Sequence, residues 1–215
     1  MNVQPVHEVL ETRALDNRGR YQLLTTLVVP RPIAWVSTYS ADGSRNLAPF
    51  SYFGALSATP MLVGLSVGHR PRGPKDTLNN IRDTGAFCIN VVTPRHLEAM
   101  NATSGEYLPN VDEFDMAELA SRDADHVAAP FVADCPAVLE CRLFKEVDLE
   151  GARNTLIVGH VVAVRLHPEL AFEPGTRYLQ PQALAAVGRL GAQDYVLSGS
   201  VVRMARPLVP DPSGG

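Results

Sequence analysis

Two short stretches carry residues whose types and spacing could do chemistry. The first is Gly64-Leu65-Ser66-Val67-Gly68, which has the form of a hydrolase nucleophile elbow, followed by His96, His126, His160 and His167 as possible bases. An elbow needs a sharp strand-to-helix turn at the serine. Ser66 instead falls in an alternating run, and Arg70-Pro71-Arg72-Gly73-Pro74 intervene before any helix, so the context contradicts a serine hydrolase. The second stretch begins where the first ends. A glycine- and proline-rich loop with Arg70 and Arg72 leads into Pro74-Lys75-Asp76-Thr77, which opens a helix. First-turn amides lack intrahelical partners and sit at the positive end of the helix dipole, so an anion can be held there. Lys75 would add charge, Thr77 a hydroxyl, and Asp76 as N-cap would leave the amides facing a ligand. An ordinary capped surface helix accounts for the same four residues.

Neither G-x-G-x-x-G nor G-x-x-x-x-G-K-[ST] occurs, which removes a dinucleotide fingerprint and a P-loop as sources of phosphate binding. A mononucleotide is the ligand left. Asn46-Leu47-Ala48-Pro49-Phe50-Ser51 adds an amide, a proline and an aromatic body, which suits a flat heterocycle held by hydrogen bonds and one packed face. A plain edge strand holding a proline is the alternative.

The elements that position these residues are mostly strands. Residues 33–53 read as two strands around the turn Ala41-Asp42-Gly43-Ser44, and 61–67 as a third that follows Pro60. A helix from Asp76, with Leu78 and Ile81 on one face, stops at Gly85, and 86–92 resumes a strand. Residues 94–100 read as a short helix. Residues 107–125 form an acidic, irregular excursion with one helix around 116–120. Two long strands follow, 137–147 and 155–166, and on the second Leu156, Val158, Val162 and Val164 share a face with His160. Many strands, few helices and no βαβ alternation give a mainly β fold, a β-barrel with helical insertions. A single domain over 1–205 and a flexible tail over 206–215 are expected.

The net charge of −4 and the absence of long like-charge runs argue against nucleic acid or a membrane surface as partner. Lys75 and Lys145 are the only lysines, which singles out a lysine inside a motif. No signal-peptide pattern or spanning-length apolar run occurs, so a cytoplasmic location is expected. Three cysteines without a Cys-x-x-Cys pair indicate neither a disulfide framework nor a zinc site.

Taken together, the blocks resemble the FMN-binding split-barrel flavin reductases, which include flavoredoxin and reductase components of two-component monooxygenases. The matching residues are 21–24, 31–38, 46–51, Ser66, Lys75-Asp76-Thr77 with Asn80-Ile81, Asn90, 101–103, Gly188-Arg189-Leu190-Gly191 and Tyr195. The resemblance implies a homodimer of six-stranded split barrels, each holding FMN near the subunit interface. It places Ser37 and Thr38 near the flavin, Asn46, Ala48 and Ser51 on its ring or ribityl chain, and Ser66, Lys75, Asp76 and Thr77 around the phosphate. Arg189 and Tyr195 would complete the pocket. It also implies NADH or NADPH as a transient co-substrate, with electrons passed to free flavin, a partner monooxygenase or another acceptor. A flavin-binding electron carrier without NAD(P)H activity would use the same pocket. His160 departs from the pattern, since similar chains carry an acidic residue there; it reads as a half-buried strand histidine, and Trp35 as a packing aromatic. Because hydride transfer depends on positioning, no residue of the chain is singled out as catalytic.

Overall fold

The computed structural model describes residues 8–71, 73–108, 111–180, 182–197, 199–205 and 207. Arg72 and nearly all of the expected tail over 206–215 lie outside the described residues. After a 3-10 turn over Thr12–Ala14 the elements run in chain order as α1 Asn17–Leu27, β1 Arg31–Pro32, β2 Ala34–Tyr39, β3 Arg45–Phe50, β4 Phe53–Ala58 and β5 Met61–Gly68. They continue as α2 Asp76–Thr84, β6 Ala86–Val91, a 3-10 turn Pro94–His96, α3 Leu97–Ala102, α4 Glu113–Met116, β7 Ser121–Asp123 and β8 Pro130–Val132. The long strands β9 Ala137–Asp148 and β10 Asn154–Leu166 follow, then the short β11 Gly188–Arg189 and β12 Tyr195–Val196.

The principal sheet has the antiparallel order β3-β2-β6-β9-β10-β5-β4. Its two edge strands, β3 and β4, are consecutive in the chain and joined only by Ser51 and Tyr52. Two residues cannot cross a flat seven-stranded sheet, because neighbouring strands lie about 4.8 Å apart. The sheet therefore curls until its edges meet, and beside the bend the Ser66 amide donates to the Tyr52 carbonyl at 2.9 Å, extending the β4–β5 ladder. The resemblance implies six strands; the principal sheet has seven, with β3 and β4 separated by the bend at Ser51-Tyr52.

The barrel interior is filled by Ala34, Val36, Phe50, Leu65, Phe87, Ile89 and Ile157 and plugged by Leu78 and Ile81 of α2. Both plug residues are fully buried, and each is worth about 1.5–3 kcal/mol of transfer free energy. Gly85 ends α2 in the left-handed conformation at φ 66°, as its place in the sequence predicts. A second core lies outside the barrel wall, where Ile33, Trp35 and Leu47 pack with Met100, Phe114, Val127 and Phe131 from the helical excursion and β8. This double cover explains why β2 is buried on both faces, a run that alternation rules for a one-sided strand do not anticipate.

Two expectations need correction, and one strand face is now placed. The helix in the excursion is α4 at Glu113–Met116, earlier than 116–120, because Asp112 caps it by accepting from the Phe114 amide at 2.9 Å. Lys75, not Asp76, is the N-cap of α2, with no side-chain cap bond. The face of β10 that carries His160 points outward: Ile157 and Val161 enter the barrel, while Val162 and Val164 are 36% and 46% exposed. Helix α1 has no counterpart among the expected elements. It buries only Thr25, so no apolar stripe marks it in the sequence.

Candidate functional site

The bend that closes the barrel also builds a cleft. Pro49, Phe50 and Ser51 leave β3 on one side, Lys75 enters α2 on another, and Met100, Asn101 and Ser104 of the α3 region form a third wall. Tyr21 of α1 with Arg189 and Tyr195 completes a space of about 250 Å³. Of the residues expected at a ligand, Ser51, Lys75, Arg189 and Tyr195 thus meet in one cleft although up to 144 positions separate them in the chain.

Lys75 is half-buried, with its ammonium 5.2 Å from the Phe50 ring centroid and no carboxylate within ion-pair distance among the described residues. Burial, reinforced by the positive charge of Arg70, pushes its pKa below the ordinary lysine value. Arg70 reaches this helix start through a tight turn closed by reciprocal backbone bonds with Gly73, whose φ of 123° suits glycine. One arm of its guanidinium donates to the Asp76 carboxylate at 2.9 Å, while its Nε is buried without a partner. Among the described residues the Asp76 and Thr77 amides donate no hydrogen bond either, as first-turn amides with no helical carbonyl behind them. Two cations, an orphaned buried N–H and two free helix amides thus lie around the start of α2, with Lys75 facing the first cleft. This donor set fits a phosphate group.

The remaining expected residues are less open. Ser37 is wholly buried; its hydroxyl donates to the Pro130 carbonyl at 2.6 Å and accepts from Asn90 at 2.9 Å, so the structure does not bring it to the cleft. Thr38 is equally buried and accepts from the Asn80 amide at 2.9 Å. Asn46 accepts from the Thr77 hydroxyl at 2.8 Å and donates to Glu113 at 2.8 Å, which commits the Thr77 proton away from any anion. Asn46 and Asp76 border a second, polar cleft of about 400 Å³ on the other side of the α2 start. Ala48 is half-buried against the barrel core. Ser66 lies inside β5 and accepts from the Asn154 amide at 3.0 Å, and among the described residues no histidine bonds it, so the strand-to-helix turn of an elbow is not formed there. His160 pairs across the sheet with Arg142 and Leu62, edge-on to Phe144, and lies outside the cleft.

Arg31 supports the cleft from beneath. It is 6% exposed and donates to the carbonyls of Thr25, Val28 and Leu190 and, at 3.4 Å, to the Ser51 hydroxyl. One buried guanidinium thereby fixes the end of α1, the turn between β11 and β12, and the barrel bend. Arg189 stacks 4.4 Å over the Tyr195 ring and hydrogen-bonds its hydroxyl. Sequence reasoning gave no role to Arg31, Tyr21 or Glu113. Arg31 was legible only as part of a matching block, and Glu113 sat in the stretch with the least pattern.

The fold is a mainly β barrel with a cationic cleft at its closing bend. The chain belongs to the flavin reductase like domain family, which matches residues 26–182. An uncharacterized protein of Halalkalibacterium halodurans is 33% identical over 204 residues, 93% of this chain and 97% of that relative. Among solved structures, nitrilotriacetate monooxygenase component B from Bacillus cereus is 26% identical with a TM-score of 0.88, covering 94% of this chain and 100% of that one. The 2-nitrobenzoate 2-nitroreductase of Pseudomonas fluorescens is 29% identical with a TM-score of 0.83 over 97% and 100%. The architecture is the split barrel of the flavin reductases, and the family makes the chain a flavin-related oxidoreductase with a flavin cofactor. Among the described residues no helix is long and apolar enough to cross a membrane.

Proposed function

We propose that the chain is an FMN-dependent reductase that takes hydride from NADH or NADPH and passes electrons to free flavin, a partner oxygenase or another acceptor. The observation that carries this reading is Lys75 at the start of α2, facing a cleft lined by aromatic and polar side chains, with the buried, unpartnered Arg70 Nε in the loop just before it. Lys75, Arg70 and the Asp76 and Thr77 amides would hold the phosphate. Ser51, Pro49 and Phe50 would border the ring or ribityl chain, with Arg189 and Tyr195 closing the far side. Ser37, Thr38, Asn46, Ala48 and Ser66 would act from below, as the hydrogen-bonded floor of the barrel end rather than as open donors. The chemistry supplied by bound FMN is hydride acceptance at its ring and onward release of electrons.

The chain's own contribution is binding, orientation and exclusion of water. An apolar chamber of about 530 Å³, lined by Pro32, Ile33, Phe53, Val92, Val187 and Leu197, adjoins the cleft across Ile33 and offers room for a second flat reactant to dock. The similarity to a monooxygenase component supports an oxygenase as partner. A homodimer is supported by exposed Leu56, Met61, Phe144, Val162 and Val164 on β4, β5, β9 and β10, an apolar surface that a second copy would cover. We take the unit as one domain over 1–205, working in the cytoplasm, where its three free cysteines stay reduced.

An absorption spectrum of the purified protein titrated with FMN, followed by anaerobic NADH or NADPH, tests the reading. The expected result is a bound flavin spectrum that bleaches on addition of nicotinamide. Binding without bleaching would leave an electron carrier and end the reductase claim.

A further inference from the structure

Three consecutive residues of β3 hold the excursion after α3 against the barrel. Arg45 donates to Asp112 at 2.6 Å and to Asp115 at 2.8 Å, and its guanidinium lies 5.5 Å over the Phe114 ring. Asn46 donates its side-chain amide to a Glu113 carboxylate oxygen at 2.8 Å, and the Leu47 backbone amide donates to the same oxygen at 3.0 Å. Glu113 is 4% exposed, and no cation lies within ion-pair distance among the described residues. A buried carboxylate without a counter-ion is costly unless something is gained by holding it there.

What it fixes is the orientation of a side chain. An amide presents two donors on one end and two acceptor lone pairs on the other, and its direction is set by its neighbours. With a carboxylate on one side, Asn46 must turn its NH₂ toward Glu113 and its oxygen toward α2. That oxygen then accepts from the Thr77 hydroxyl at 2.8 Å, two residues into the helix whose first amides face the candidate anion site. The sequence of donors runs one way, from Thr77 to Asn46 to Glu113.

We propose that Glu113 is a positioning residue for the phosphate-binding end of the site, setting the Asn46 amide so that Asn46 grips Thr77 and holds the start of α2 in place. The proposal rests on the FMN reading given above. It assigns the α4 segment to the site although it lines no part of the cleft. Glu113→Gln can keep both acceptor bonds, because they converge on one oxygen that the Gln carbonyl can replace; Glu113→Ala cannot.

Binding of FMN and of riboflavin, which lacks the phosphate, to the full chain and its variants provides the test, with fold checked by thermal unfolding. Glu113→Ala is expected to weaken FMN about tenfold and riboflavin by less than about twofold, and Glu113→Gln to stay within about threefold of the parent for FMN. A second arm does not depend on the alanine variant folding. Asn46→Asp sets two carboxylates against each other and is expected to lose FMN affinity, and adding Glu113→Gln to it is expected to restore part of the loss, because it removes the repulsion and the Gln NH₂ can turn to the new carboxylate at the cost of the Leu47 amide bond. Equal loss of FMN and riboflavin in Glu113→Ala, a Gln variant as weak as the Ala variant, or no recovery in the double variant would overturn the proposal. A parent protein that binds no FMN would instead sink the cofactor reading itself, and the proposal with it.

Discussion

Arg70 donates to the Asp76 carboxylate at 2.9 Å, across the loop that leads into α2. The pair lies largely buried, with side-chain exposures of 11% and 20%, at the point where the site would receive an anion. Asp76 is therefore neutralised by Arg70 rather than by capping the helix. Arg70→Met is expected to weaken FMN binding by about ten- to a hundredfold, because it both removes a donor and leaves a bare carboxylate beside the phosphate. Arg70→Met/Asp76→Asn should recover part of that loss. A double-mutant cycle on FMN dissociation constants measures this; a double variant as weak as Arg70→Met contradicts it.

Lys75 carries a penalty in the empty protein that an anion would remove. Burial and Arg70 hold its folded pKa below the ordinary 10.5, so the unfolded chain binds the proton more tightly than the folded one. The stability of the ligand-free protein is expected to rise with pH between the depressed folded value and 10.5, and Lys75→Met to raise the Tm by about 2 °C near pH 7. In the same variant FMN affinity should fall at least about tenfold. In the parent, affinity should begin to decline below pH 10.5 as free Lys75 loses its proton, whereas Lys75→Arg should hold affinity to higher pH. Calorimetry and FMN titration between pH 7.5 and 11 check both.

Arg31→Lys is expected to behave like a large change. One ammonium cannot reach four acceptors on three segments, so the α1 end and the Ser51 bend should both loosen. A loss of about 2–3 kcal/mol in chemical denaturation is expected, with weaker flavin binding. Unchanged stability would show that the three segments hold without it.

Gly159 lies beside a register shift in the β9–β10 pair, and a Cβ there would meet the Phe87 ring at 2.5 Å. Phe87 is fully buried inside the barrel and cannot move aside. Gly159→Ala should cost about 1–3 kcal/mol by denaturation, and Phe87→Leu in the same chain should return part of it. Additive losses would contradict this contact.

The barrel strands other than β4, which was not expected, were legible because their rules are local. Gly43 closes the β2–β3 turn, Gly85 stops α2, Pro60 precedes β5, and a run rich in β-branched residues marks β10. Lys75 was legible from its place at a helix start and Ser51 from the 46–51 block, whereas Arg189 and Tyr195 were legible only by family pattern, since nothing local says that Tyr195 and Lys75 share a cleft. Ser37 and Asn46 show the limit. A serine or an asparagine on a strand reads as a ligand donor until its neighbours are known, and Pro130, Asn90, Thr77 and Glu113 that occupy them come from distant segments. Glu113 itself was illegible because a four-residue helix has too little length for periodicity, and α1 because its anchor is Arg31 rather than an apolar stripe.

Comparing FMN with riboflavin on the parent protein and on Lys75→Met tests the central claim most directly, because the two flavins differ only in the phosphate that Lys75, Arg70 and the α2 amides are held to bind. The parent should bind FMN at least about a hundredfold more tightly than riboflavin, and Lys75→Met should erase most of that difference while leaving riboflavin affinity nearly unchanged. Equal affinity of the parent for the two flavins, or a preference that survives in Lys75→Met, would contradict the account.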